Sequence, residues 1–150
     1  MKNTTVETVA RIRKLTGAGY VLCSKTLKEF DGDEEKTIDS LATLMKVNVR
    51  KLDRVTKEGK MFTYVHTGGK IGVLLQLESE TDFVARTEEF DTLGKNICLH
   101  IAACNPTDVD DLLKQAFVRD SFSTIEEQIN SLSVKVGEKI LVKRFSVFLM

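Results

Sequence analysis

Three side chains able to bind a metal or act as nucleophiles lie close together as Cys98-x-His100-x3-Cys104. A metal centre needs at least three ligands turned toward one point. On a helix, positions 98 and 100 point about 200° apart, so they cannot serve one ion from one face. Both cysteines lie near an apolar stripe, where a thiol usually acts as a small buried hydrophobe. No metal and no cofactor is expected, and a thiol enzyme built on Cys98 or Cys104 is the weakest functional reading. The other histidine, His66, ends a β-rich run and receives no role. The chain has neither a Gly-x4-Gly-Lys-Ser/Thr loop nor a Gly-x-Gly-x-x-Gly turn, so it carries no signature for cradling a nucleotide itself. The segment that departs from ordinary patterning is Glu80-Thr81-Asp82-Phe83-Val84-Ala85-Arg86. It sets a carboxylate beside a large apolar ring at a strand-to-helix junction, and such loops carry function more often than the elements they join. Residue types alone favour a plainer reading. Thr81 caps a helix, Asp82 favours its dipole and Phe83 enters the core.

The elements around this segment can be read from periodicity. Val6, Val9, Ile12 and Leu15 recur at helical spacing after a cap at Thr4 or Thr5, and Thr16-Gly17-Ala18-Gly19 stops that helix. A second helix is expected from about Tyr20 to Phe30, burying Val21, Leu27 and Phe30. Asp31-Gly32-Asp33 turns the chain into a third, which buries Ile38, Leu41, Ala42 and Met45. Residues 46–60 then hold Lys46, Arg50, Lys51, Arg54, Lys57 and Lys60 against Asp53 and Glu58. This is a solvated, partly helical basic linker or a strip that docks an acidic surface. From Met61 the period falls to two. Runs over 61–66 and 71–77 flank Thr67-Gly68-Gly69-Lys70, a hairpin signature, and Leu74 opposite the apolar face makes the second run a central strand. Thr87 caps a helix with Phe90, Leu93, Ile97 and Ile101 on one stripe, ended by Asn105-Pro106. A short helix opened by Asp108, Asp110 and Asp111, an amphipathic helix over 124–136 stopped by Gly137, and a final strand over 140–150 complete the chain. The expected class is α+β. A three-helix head (1–46) and a basic linker (47–60) precede a core (61–150) of three antiparallel strands packed with helices.

The 150 residues balance 22 Lys and Arg against 22 Asp and Glu. Zero net charge argues against direct nucleic-acid binding, which normally needs a basic excess. No apolar run approaches the ~20 residues that span a bilayer, so no membrane association is expected. Three cysteines at no framework spacing suit a reducing compartment. A start at Met1 without an apolar or Arg/Ser-rich leader points to the cytoplasm.

Several segments together carry a family resemblance. Arg11-Ile12-Arg13-Lys14-Leu15-Thr16-Gly17-Ala18-Gly19 resembles the opening of the translation elongation factor Ts family, and Thr81-Asp82-Phe83-Val84-Ala85-Arg86 resembles its second signature. Ile71-Gly72-Val73-Leu74, Leu99-His100-Ile101-Ala102, and Val136-Gly137-Glu138-Lys139-Ile140 with Lys143-Arg144-Phe145 are similar to the family's core strand, core helix and closing elements, in family order. Tyr20-Val21-Leu22-Cys23-Ser24-Lys25 departs from the usual sequence after the glycine turn. The long helical insertion of larger relatives is missing after Pro106.

The resemblance implies a guanine-nucleotide exchange factor for elongation factor Tu, with no covalent chemistry of its own. Such a factor promotes GDP release by disturbing the partner's magnesium and phosphate site. Thr81, Asp82, Phe83 and Val84 would then act near the magnesium, with Phe83 wedged between two helices of the partner. Leu15, Gly19 and Val21 would dock the head, while Ile71, Gly72 and His100 would meet a second partner domain. Short relatives pair two chains, and the uncharged ending Phe145-Ser146-Val147-Phe148-Leu149-Met150 fits a homodimer through the C-terminal strand. The head also resembles ubiquitin-associated domains, which leaves a protein-binding module without exchange activity as the alternative.

Overall fold

Thr5 opens the first helix, α1 (Val6–Thr16), by accepting the Thr8 N–H on its hydroxyl at 3.2 Å. Gly17, with φ of 71°, closes it by donating to the Arg13 carbonyl, a left-handed conformation that glycine adopts without penalty. The computed structural model describes residues 5–51 and 54–150, so a cap at Thr4 lies outside the described residues. The chain divides into two units, Met1–Asp53 and Arg54–Met150.

The first unit continues with α2 (Tyr20–Glu29) and α3 (Glu34–Lys51), the latter with Glu34 and Glu35 favouring its N-terminal dipole. Its core is Val9, Ile12, Ala18, Cys23, Leu27 and Leu41. Two expectations for α2 are corrected. Cys23, Thr26 and Leu27 take the inward stripe, so Val21 faces outward, and Phe30 is a half-buried C-cap. Ile38 and Ala42 are half-buried. The burial expected of Met45 and the charges expected at Lys46, Arg50, Lys51 and Asp53 lie outside the described residues and side chains. Arg11 reaches from α1 to Glu34 of α3 at 2.6 Å.

The second unit begins with β1 (Glu58–Val65) and β2 (Ile71–Ser79), antiparallel and joined through Gly68 and Gly69, both at positive φ. Thus α3 and β1 each extend into the 47–60 segment. Two cations of the expected basic strip are committed within the unit, Lys60 to Asp91 at 2.7 Å and Arg54 to Glu80 at 3.6 Å. After a four-residue helix, α4 (Asp82–Ala85), Thr87 caps α5 (Glu88–Cys104), whose Phe90, Leu93, Ile97, Cys98 and Ile101 are buried. Asp108 caps α6 (Val109–Lys114). A small hairpin of β3 (Ala116–Phe117) and β4 (Asp120–Thr124) follows, where the sequence pattern had suggested no strands. Thr124 and Glu127 form a reciprocal capping box on α7 (Ile125–Val136), and Gly137 at φ 77° ends it.

The last strand, β5 (Ile140–Leu149), pairs antiparallel with β2, giving the sheet order β1-β2-β5 with β2 central. The sheet's inner face carries Phe62, Val73, Leu75, Leu77 and Val142. These join α5 and the α7 residues Ile125, Ile129 and Leu132 in one core. Helix α5 comes so close to β1 that a Cβ on Gly94 would stand 2.4 Å from the Phe62 ring. The architecture is the expected α+β arrangement: a three-helix N-terminal region, then a three-stranded antiparallel sheet packed with helices.

Candidate functional site

Strands β2 and β5 pair to their ends across a register shift between Gln76 and Leu77, which leaves Ser79 opposite Ile140. The segments just beyond, 80–81 and 138–139, therefore emerge side by side. Each holds the other with a carboxylate. Glu138 accepts the Thr81 hydroxyl at 2.6 Å on Oε1 and the Thr81 N–H at 3.1 Å on Oε2. Glu80 accepts the Lys139 N–H at 2.6 Å. The Ser79 hydroxyl donates to the Thr81 carbonyl at 2.8 Å. Thr81 occupies the N-cap position of α4, but its hydroxyl goes to Glu138 and makes no cap bond.

Helix α4 is seated by Val84 and Ala85, both within the core of the second unit. This turns the next side chain out. Phe83 is 80% exposed, so the core position that its residue type favoured is overturned. Val84 is buried and anchors the helix from beneath. Asp82 is half-buried and pairs with Arg86 at 2.8 Å. Together these residues form a short platform, seated in the core, that presents one bare aromatic ring next to one carboxylate. It can fill an apolar slot of another molecule and place negative charge beside it.

The other expected residues are dispersed. In the first unit, Leu15 and Val21 are 65% and 62% exposed, while Gly19 is buried at the start of α2. In the second unit, Ile71 and Gly72 are half-buried at the start of β2, and a Cβ on Gly72 would meet nothing within 4 Å. His100 does not reach a surface. It is fully buried, with Nδ1 accepting the Val118 N–H at 3.1 Å and Nε2 bonded to Gln115 Oε1 at 2.9 Å. The Val118 bond leaves Nε2 as the protonated nitrogen, and the ring pins the β3–β4 hairpin to α5. Cys104 Sγ is 3.9 Å from the same ring. Burial pushes the Cys98 thiol up to about 12, which removes it as a nucleophile at neutral pH. Among the described residues, no three His, Cys, Asp or Glu side chains are grouped to hold a metal ion, and no helix is long and apolar enough to cross a membrane.

Residues 80–150, which begin at this platform and run to the end of β5, match the family model for elongation factor TS. The elongation factor Ts of Oleidesulfovibrio alaskensis is 34% identical over 190 residues, covering 96% of this chain and 96% of that protein. The chain belongs to the elongation factor Ts family. Elongation factor Ts of Nostoc sp. is 39% identical over 149 residues, covering 99% of this chain but 47% of that protein, so the chain spans about half of that relative's length. In this member of the family, the three hydrogen bonds to the Glu80 and Glu138 carboxylates across the β2–α4 and α7–β5 junctions are not encoded in local spacing. Glu138 was visible as part of a family segment, yet its partner Thr81 lies 57 positions away.

Proposed function

We propose that this chain is a guanine-nucleotide exchange factor for elongation factor Tu in translation elongation, acting by differential binding without covalent chemistry. The observation that carries the proposal is the exposed Phe83 ring, held out by a helix that is itself anchored in the core. Leaving a large ring in water costs about 1.5–3 kcal/mol that its burial would recover, which makes it an apt anchor for a partner's slot. Wedged between two helices of the partner's nucleotide domain, the ring would displace the loop and magnesium that hold the phosphates. Asp82 beside it would add negative charge where the magnesium sits. Magnesium bridges phosphate charge to protein, so its displacement weakens GDP.

Linkage adds one requirement. A surface that binds the nucleotide-free partner more tightly than the GDP form must weaken GDP by the same factor. The head, 1–46, would dock through the exposed Leu15 and Val21, with Gly19 shaping the turn between them. Ile71 and Gly72 would meet a second domain of the partner, with space at Gly72 for close approach. His100 would serve there by holding the hairpin in place. A homodimer would form at β5, an edge strand whose Phe148 is 73% exposed, and the cytoplasm would be the site of action. Titrating the chain into elongation factor Tu with and without GDP tests the reading. GDP should weaken the complex, and equal affinity in both states would remove the proposal.

A further inference from the structure

A bare ring on a four-residue helix is a precise wedge only if the helix start cannot swing, and so short a helix has few backbone bonds to prevent it, chiefly Ala85 N–H to the Thr81 carbonyl at 3.4 Å and Arg86 N–H to the Asp82 carbonyl at 3.1 Å. The restraint at that point comes from outside the helix. Both hydrogen-bond donors of Thr81 end on one carboxylate, Glu138, which belongs to the turn between α7 and β5. That turn is itself fixed. Gly137 closes α7 in the left-handed conformation, the Ser133 hydroxyl donates to the Glu138 carbonyl, and Lys139 N–H donates to Glu80. Arg54 adds charge to the same junction, 3.6 Å from Glu80 and 3.4 Å from the Gly137 carbonyl.

We infer that Glu138 is a positioning residue for Phe83: its bidentate grip on Thr81 sets the angle at which the exposed ring meets the partner's slot. This rests on the exchange reading above for its consequence and on the Thr81–Glu138 geometry for its cause. Bonds to an ionised acceptor are roughly twice as strong as neutral ones, so the grip is sufficient to hold a segment with so few bonds of its own. Glu138 touches no partner atom in this scheme. Its effect passes through Thr81 to the helix two residues short of the ring.

The test uses the full chain with Glu138→Ala, Glu138→Gln, Thr81→Val and Phe83→Ala, singly, and Glu138→Ala with Phe83→Ala. In the free chain, hydrogen exchange at the Thr81 amide reads the grip without any partner. The amide should be protected in the parent, lose protection in Glu138→Ala and keep most of it in Glu138→Gln, whose carboxamide oxygen still accepts the N–H while its NH2 donates to the hydroxyl. Stimulated GDP release from elongation factor Tu should fall roughly ten-fold in Glu138→Ala and several-fold in Thr81→Val, and should be largely retained in Glu138→Gln. In the Phe83→Ala background, Glu138→Ala should add little, because the ring it positions is already gone. Unchanged Thr81 protection in Glu138→Ala, or losses from Glu138→Ala and Phe83→Ala that combine in full, would overturn the inference. If Glu138→Ala does not fold, Thr81→Val decides: full exchange activity in that variant counts against the inference. A parent chain that fails to speed GDP release removes the exchange reading instead, and the Thr81 amide alone then decides whether the grip exists.

Discussion

The carboxylate of Asp82 stands 2.8 Å from the guanidinium of Arg86, one helical turn further on, and both side chains are substantially open to water. An exposed pair of this kind is worth about 0–1 kcal/mol, so it can open when a partner offers something better. Arg86→Ala should therefore leave thermal stability nearly unchanged and retain most of the stimulated GDP release. Asp82→Ala should slow GDP release several-fold while nucleotide-free binding falls much less, if, as proposed, the charge acts on the partner's metal site more than on contact area. Parallel titrations and release rates check this, and equal losses in binding and release for Asp82→Ala would count against the assigned role.

Gly94 sets the distance between α5 and the sheet. A methyl there would fall 2.4 Å from the ring of Phe62, which is buried and packs on Phe90 at 6.0 Å between centroids. Alanine gains up to about 1 kcal/mol of helix propensity but forces a packed ring aside, an overpacking cost of about 1–3 kcal/mol. The net expectation for Gly94→Ala is a lower denaturation midpoint. A midpoint at or above the parent's would show that the helix has slack against β1.

The thiols report the core independently. Cys23 and Cys98 are buried and Cys104 is exposed. Alkylation of the native chain at neutral pH should modify Cys104 alone, with the other two reacting only after unfolding. The pH dependence has a definite sign. Burial raises the Cys98 thiol from 9.0 to about 12, so above pH 9.0 the unfolded thiol ionises while the folded one stays protonated. Its contribution to stability is thus complete below pH 9.0 and lost progressively up to about 12. Replacing Cys98 with Ala should flatten that part of the pH–stability profile. A profile no flatter than the parent's would contradict the assignment.

Much of this architecture could be read from local chemistry. Thr87 ahead of Glu88 and Glu89, Thr124 ahead of Glu127, and the paired glycines at 68–69 each specify a boundary through hydrogen bonds or backbone angles among near neighbours. The β3–β4 hairpin was not legible, because a two-residue strand has no period to detect and its position depends on His100, 18 residues before Val118. The same limit applies at the candidate site. The aromatic character of Phe83 argues for burial, and only the seating of its neighbours Val84 and Ala85 explains why the ring is out. Val21 fails similarly, since Cys23, Thr26 and Leu27 fill the inward face of α2. Long-range partners decide these cases, and spacing along the chain does not encode them.

The edge strand supplies a test of assembly. Phe148 lies opposite Gly72 in the β2–β5 register and is largely exposed, near the end of β5. If two chains pair at this strand, sedimentation at micromolar concentration should give twice the chain mass, falling on dilution. Phe148→Lys should shift the balance to monomer without lowering the denaturation midpoint at high dilution. A single-chain mass across the whole range would remove the dimer.

The central claim is that an exposed phenylalanine on a fixed platform drives nucleotide release, and stopped-flow release of labelled GDP from elongation factor Tu measures it directly. Adding the parent chain at equimolar concentration should accelerate release well above the spontaneous rate. Phe83→Ala should lose at least about 2 kcal/mol of that effect, roughly thirty-fold, with little change in thermal midpoint because the ring is 80% exposed. Release at the spontaneous rate with the parent, or a Phe83→Ala chain that melts far below it while accelerating GDP release as well as the parent when folded, would contradict the account.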